Sequence, residues 1–305
     1  MAQSSVQKST IVRFVNRARM AAVRGLFGTL ERAAPNLGAW WAERLWLTLP
    51  RYRGTRRPSI LPLAEPFTVD VGGRLVAGRA WGGSGPIVYL VHGWGGTSAQ
   101  LEAFVPPLLA AGHRVVTFDA PSHGESAPGV LGPRRSTIPE LADALTAVVA
   151  AQGPAHAIIA HSLGCAGVFY ALRQGLSVRR LVFLAPMTQP TPYTILFAAT
   201  LGFGERIRTR MQDRVATRVG VPWSDFDMPT RVGSLGTLPA LLLVHDPRDR
   251  ETRYADSMAL HKVWPDAVLH TVTEVGHWRI LRDASTVERA AAFAGFGTEA
   301  ARQVS

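Results

Sequence analysis

Cysteine is almost missing from this chain. Cys165 is the single one in 305 residues, which excludes an internal disulfide and a cysteine-based zinc site. No HExxH segment or paired Cys/His spacing occurs either, so no metal is expected. Long apolar runs are lacking near the start, because Arg13, Arg17, Arg19 and Arg24 interrupt each one. Neither a signal peptide nor a membrane-spanning helix is expected there, and a reducing, cytoplasmic setting is. Internal repeats and low-complexity tracts are missing as well. Acidic residues are scarce at the beginning: positions 1 to 57 hold eleven Lys or Arg against Glu31 and Glu43, in a chain of formal charge +11. The cationic excess sits on an appendage and the rest is near neutral, which argues against a nucleic-acid-binding role.

What the chain does have is apolar content, 47% of residues, enough for one large core. On a helical wheel Ile11, Val12, Val15, Val23, Leu26, Phe27 and Leu30 share one arc and Arg13, Arg17, Arg24 and Arg32 lie opposite, with Arg19 the exception. That pattern predicts a basic amphipathic helix. A second helix is expected around Trp40, Trp41 and Trp46, and residues 50 to 66, with Pro58 and Pro62, read as a linker. The extension 1–57 has two readings. It either lies on an anionic membrane surface or folds back on its own protein with the arginines solvated, and the second is favoured because amphipathic helices usually bury their stripe at home.

After the linker, strand-length apolar runs recur at 67–71, 75–81, 87–91, 114–118, 157–160, 181–184, 241–244 and 268–272, mostly separated by helical segments. The first two form a hairpin. Continuous apolar strands alternating with helices predict an α/β fold, a mostly parallel twisted sheet of about eight strands with helices on both faces. A core of 58–186 and 239–297 is expected, interrupted by a helical cap insertion at 187–238.

The chemistry concentrates at strand ends. Ile158-Ile159-Ala160-His161-Ser162-Leu163-Gly164 runs from a strand through a serine into a helix. A serine on so tight a turn projects its hydroxyl above the sheet and needs small residues two before and two after it, here Ala160 and Gly164. The alternative is an ordinary serine at a helix N-cap. His92-Gly93-Trp94-Gly95-Gly96 follows the third strand, and a glycine-rich turn there can aim backbone amides at a developing oxyanion; the N–H groups of Trp94 and Leu163 are the candidates, with His92, Gly93 and His161 in support. A serine hydroxyl needs a base, and of nine histidines His277, on the loop after the last strand, is best placed to reach back over the sheet. Two carboxylates compete to orient it, Asp246 and Asp249. Asp249 lies farther along its loop, whereas Asp246 is suited to pair with Arg248 or to cap the turn before Pro247.

The HGWGG turn, the A-H-S-L-G elbow and the G-H after the last strand together resemble the α/β-hydrolase superfamily, in particular its small esterase-like members, over roughly residues 67 to 296. Asp119 to Ser126 is similar to the segment that shapes the pocket floor in such proteins. The resemblance implies a triad of Ser162, Asp249 and His277, an acyl-enzyme intermediate and no cofactor. Because the elbow carries serine and not aspartate, likeness to haloalkane dehalogenases and epoxide hydrolases stops at the fold. The expected substrate is a small-molecule carboxylic ester or thioester of a hydrophobic acyl group, with Tyr193, Phe197 and Trp223 of the insertion lining its pocket; acyl transfer, or a catalytically silent scaffold that binds a ligand, uses the same architecture.

Overall fold

The structure, a computed structural model, describes residues 2–50 and 61–296, with side chains described between Ala18 and Gly295. The side chains of Ile11, Val12, Val15, Arg13 and Arg17 lie outside the described residues, as do most of the expected linker and the boundary at 57.

Eight strands form one sheet: β1 (Glu65–Asp70), β2 (Leu75–Trp81), β3 (Ile87–Val91), β4 (Arg114–Phe118), β5 (Ala155–His161), β6 (Val178–Leu184), β7 (Ala240–His245) and β8 (Val268–Thr271). Their order is β1-β2-β4-β3-β5-β6-β7-β8. β1 and β2 make the expected antiparallel hairpin, β2 pairs antiparallel with β4, and every later pairing is parallel. Side chains alternate across a strand, so Val88 and Leu90, Ala157 and Ile159, Val182 and Leu184, and Leu242 and Val244 face one way, into a cluster with Phe104, Leu108 and Phe293. The residues between them, Tyr89, Ile158, Phe183 and Leu243, are buried too. Both faces of the sheet are therefore covered, as the unbroken apolar strands require.

The chain divides into two compact units. The sheet unit comprises Thr48–Gln189 and Phe226–Ser305; the helical unit comprises Met1–Leu47 and Pro190–Asp225. The N-terminal segment and residues 190–225 of the expected insertion thus contribute to a single unit, while 187–189 and 226–238 belong to the sheet unit. Its long helices are Ala2–Ala33, Pro35–Trp46, Pro190–Leu201 and Glu205–Val219. Phe27 stacks on Trp41 at 4.7 Å and packs on Phe203, in a core shared with Ala39, Ala42, Ile207 and Met211. Polar contacts add specificity. The Glu31 carboxylate accepts the amides of Gly204, Arg206 and Ile207 at 3.0, 3.0 and 3.1 Å, capping the Glu205–Val219 helix where its amides lack internal partners and its dipole is positive. Buried Glu43 is paired with Arg214 at 2.7 Å and with Arg218. Of the first helix's apolar stripe, Phe27 is buried in this core and Val23 and Leu30 pack partly buried against it, whereas Leu26 is exposed, as are Arg19, Arg24 and Arg32.

Candidate active site

Ser162 is the single residue between β5 and the helix Leu163–Arg173, at φ 54° and ψ −125°. Positive φ at a non-glycine residue costs on the order of 1–3 kcal/mol and persists where neighbours enforce it. Here the Ser162 N–H donates to the Leu184 carbonyl at 3.0 Å, and the Ser162 carbonyl accepts from Cys165 and Met187. Smallness beside the serine is needed for close approach: a Cβ added at Gly164 would stand 2.4 Å from the His92 carbonyl oxygen, and one at Gly93 would stand 2.9 Å from Ser162 Cβ. The glycine-rich turn and the serine elbow are thus packed backbone against backbone.

The His277 imidazole lies between two partners. Its Nε2 is 3.1 Å from Ser162 Oγ and its Nδ1 is 2.8 Å from Asp249 Oδ2. His277 sits on the short helical turn Gly276–Arg279 after β8, and Asp249 on the loop after β7. The Asp249 side chain is fully buried, and its Oδ1 accepts the amides of Glu251 and Thr252 at 2.7 and 3.0 Å. Burial pushes this carboxyl up, but the hydrogen bonds from His245 and His277 and the facing imidazole override it and hold the group well below the usual carboxylate range. Asp246 does other work. Its oxygens accept the amides of Arg248, Val275 and Gly276 at 2.8, 2.8 and 2.7 Å, tying the loop that carries His277 to the end of β7.

The supporting histidines fix backbone. His161 donates from Nε2 to the His277 carbonyl at 3.0 Å, with the two rings 4.5 Å apart. His92 Nε2 accepts the Ala120 amide at 2.9 Å, so its proton is on Nδ1, facing the Gly93 carbonyl. His123 likewise accepts the Gly95 amide at Nε2 and donates from Nδ1 to the Pro121 carbonyl. A ring that must accept as well as donate has to be neutral. Burial lowers all three, His123 to about 3, where the neighbouring His92 adds to the effect. In the turn Gly93–Gly96 the Gly96 amide closes on the Gly93 carbonyl and the Gly95 amide goes to His123. The Leu163 amide belongs to the first turn of the helix Leu163–Arg173, where amides have no acceptor within the helix. Asp119 organises its own loop, accepting the Ser98 amide at 2.7 Å and the Glu125 amide at 2.9 Å. Among the described residues no cluster of three His, Cys, Asp or Glu could hold a metal ion.

A sequence model described as the alpha/beta hydrolase family matches residues 88–294, more than half of the chain. The chain belongs to the alpha/beta hydrolase family. Over 145 residues this chain is 35% identical to the dihydrolipoyllysine-residue acetyltransferase component of the acetoin cleaving system of Pseudomonas putida, a stretch covering 47% of this chain and 34% of that protein. It thus spans about a third of the length of that curated relative. Among solved structures it is similar to Est816, an N-acyl homoserine lactone degrading enzyme, with TM-score 0.58, 17% identity and coverage of 75% of this chain and 99% of that one. It is also similar to a membrane phospholipase A described as a bacterial virulence factor, with TM-score 0.58, 14% identity and coverage of 94% and 97%. At such identities the structural likeness shows the fold.

The fold brings Ser162, His277 and Asp249 together, with Gly93 against Ser162 and His161 against His277, and the His92 carbonyl beside Gly164. Tyr193, Phe197 and Trp223 belong to the helical unit, where Phe197 and Trp223 pack on Trp46 at 5.3 and 6.2 Å. Sequence reasoning missed two residues behind the acid. Thr252 Oγ1 lies 3.0 Å from Asp249 Oδ2, 3.1 Å from His277 Nδ1 and 3.1 Å from the Ala185 carbonyl. Buried His245, held by Ser257 at 2.7 Å, points Nε2 at Asp249 Oδ2 from 3.5 Å. A threonine in a polar loop and a histidine ending a strand carry no motif, so nothing in the sequence singled them out. Among the described residues no helix is long and apolar enough to cross a membrane.

Proposed function

We propose that this chain is a serine hydrolase that cleaves a carboxylic ester or thioester of a hydrophobic acyl group through an acyl-enzyme intermediate. The observation that carries this reading is the His277 imidazole hydrogen-bonded to Ser162 Oγ on one side and to Asp249 on the other. His277 Nε2 takes the hydroxyl proton as Oγ bonds to the acyl carbon; the C–O or C–S bond then breaks, and the departing alcohol or thiol leaves with that proton. Water next gives a proton to Nε2 as its oxygen bonds to the acyl carbon, and Oγ departs, regaining the proton. Asp249 remains ionised throughout and keeps the Nδ1–H tautomer facing it. The amides of Trp94 and Leu163 are the proposed donors to the oxyanion, each worth roughly 3 kcal/mol in sites of this kind. Relatives named for a lactone-degrading enzyme, a phospholipase and an acetyltransferase support acyl chemistry.

The test is labelling with a fluorophosphonate probe, followed by turnover of p-nitrophenyl esters of increasing acyl length. Wild type is expected to label and Ser162→Ala to remain unlabelled, with turnover rising from acetate toward longer chains. A folded wild type that takes no label sinks the serine mechanism. Labelling without turnover would move the reading to transfer onto an acceptor other than water.

A further inference from the structure

The helical unit carries a surface that the hydrolytic reading does not use. Met1–Leu47 and Pro190–Asp225 hold twelve Lys or Arg against five Asp or Glu, a net charge of +7 out of the +11 of the whole chain. No acidic residue precedes Glu31. The helix Pro35–Trp46 turns Gly38, Ala39, Ala42 and Glu43 inward. Leu37, Trp40 and Arg44, spaced three and four apart and so on one face, are turned outward, with Leu37 55% and Trp40 43% exposed. The Arg44 guanidinium lies over the Trp40 ring, 5.2 Å from its centroid. The one carboxylate of this helix, Glu43, is buried and paired with Arg214 and Arg218, so the outward face is apolar and cationic. The helix Pro190–Leu201 exposes Ile195 at 54% and Leu196 at 61%, and Arg24 reaches the Ala199 carbonyl one turn further along it. Leu26, on the first helix, is 48% exposed.

We propose that this unit docks on an anionic lipid bilayer, placing Leu37 and Trp40 in the headgroup and acyl boundary and the arginines among the phosphates. Leucine and tryptophan set among arginines on a helix face fit that boundary: the apolar side chains leave water, the indole sits at headgroup depth, and each guanidinium gains from the negative surface potential. A second copy of the chain fits less well, because an isologous contact would set one surplus of positive charge against another. Nucleic acid fits less well too, since Leu37, Ile195 and Leu196 offer nothing to a phosphate and would lose no apolar area against it. The proposal is independent of the chemistry at Ser162.

The full chain is centrifuged with vesicles of phosphatidylcholine alone or with about a third phosphatidylglycerol, at low and at high NaCl. Wild type is expected to pellet roughly tenfold more with the anionic vesicles, and rising salt should release it, since surface charge is screened within a Debye length. Leu37→Glu with Trp40→Glu should lower pelleting at least about fivefold, and Arg44→Gln by a smaller factor, with unfolding temperatures near that of wild type. The idea is overturned if wild type stays in the supernatant with anionic vesicles at low salt, or if the folded double variant pellets like wild type. It is equally overturned if light scattering shows a dimer that Leu37→Glu dissociates and no lipid is bound. If the double variant fails to fold, Leu37→Ser takes its place, and the lipid and salt comparison on wild type stands without any variant.

Discussion

At the scale of single residues, two carboxylates three positions apart have unlike tasks. Asp249 faces an imidazole, whereas Asp246 accepts three backbone amides. Asp249→Asn is therefore expected to lower kcat on the order of 10³- to 10⁴-fold with little change in fold, since an amide favours the wrong tautomer of His277. Asp246→Ala strands three part-buried amides and should cost about 1–3 kcal/mol, read as a lower urea midpoint. Thr252→Val should fall between them, roughly tenfold in kcat, because it removes one hydroxyl from the Asp249 and His277 pair and leaves the direct bond in place. Equal losses of kcat for Asp246→Ala and Asp249→Asn, at equal stability, would contradict this division. Asp249 was legible from its place in the loop after a strand. Thr252 was not, because its contacts with Ala185, Asp249 and His277 come from three loops that meet only in the folded chain.

Among the elements, the junction of β5 with the helix Leu163–Arg173 carries the strain and the turn after β3 restrains it. Gly164 faces the His92 carbonyl, which is backbone and cannot swing aside. Gly164→Val is expected to cost about 3 kcal/mol or more, because overpacking against a fixed backbone cannot relax cheaply. Gly233→Ala, where an added Cβ meets nothing within 4 Å, should change stability by no more than about 0.5 kcal/mol. Thermal unfolding of the two variants distinguishes them; similar losses would mean that the close approach is not what fixes glycine at 164. The elbow was legible because strand, serine and helix follow one another within a few residues. How β3 and β5 lie side by side to press the two turns together was not, since these strands are separated by some sixty residues and their pairing is a property of the sheet.

For the whole molecule, charge and protonation decide stability. The buried neutral histidines His92, His123 and His161 all have lowered affinity for protons, chiefly through burial. Unfolding releases each to its ordinary value near 6.5. Below that value the unfolded chain binds more protons than the folded one, so stability falls as pH drops, by up to roughly 1 kcal/mol per imidazole for each pH unit. Asp119, Asp246 and Asp249, all lowered despite burial because backbone hydrogen bonds, and at Asp119 and Asp249 also neighbouring imidazoles, favour their ionised forms, act in a separate window. Their stabilisation is complete above about pH 4 and is lost below it. Urea unfolding at pH 7, 6 and 5 should show a steadily falling midpoint. A flat profile across that range would mean that the three imidazoles bind protons as readily in the folded as in the unfolded chain.

The order of strands and helices, the serine between strand and helix, the histidine on the loop after the last strand and the cationic bias of the first 57 residues were all written in the sequence, because each depends on neighbours a few positions away. The folded structure alone decided that the N-terminal helices and residues 190–225 of the insertion share one core, that Asp246 serves backbone while Asp249 faces the imidazole, and that His245 and Thr252 stand behind Asp249. Those outcomes depend on contacts between residues far apart in the chain, which close packing selects and local pattern does not encode.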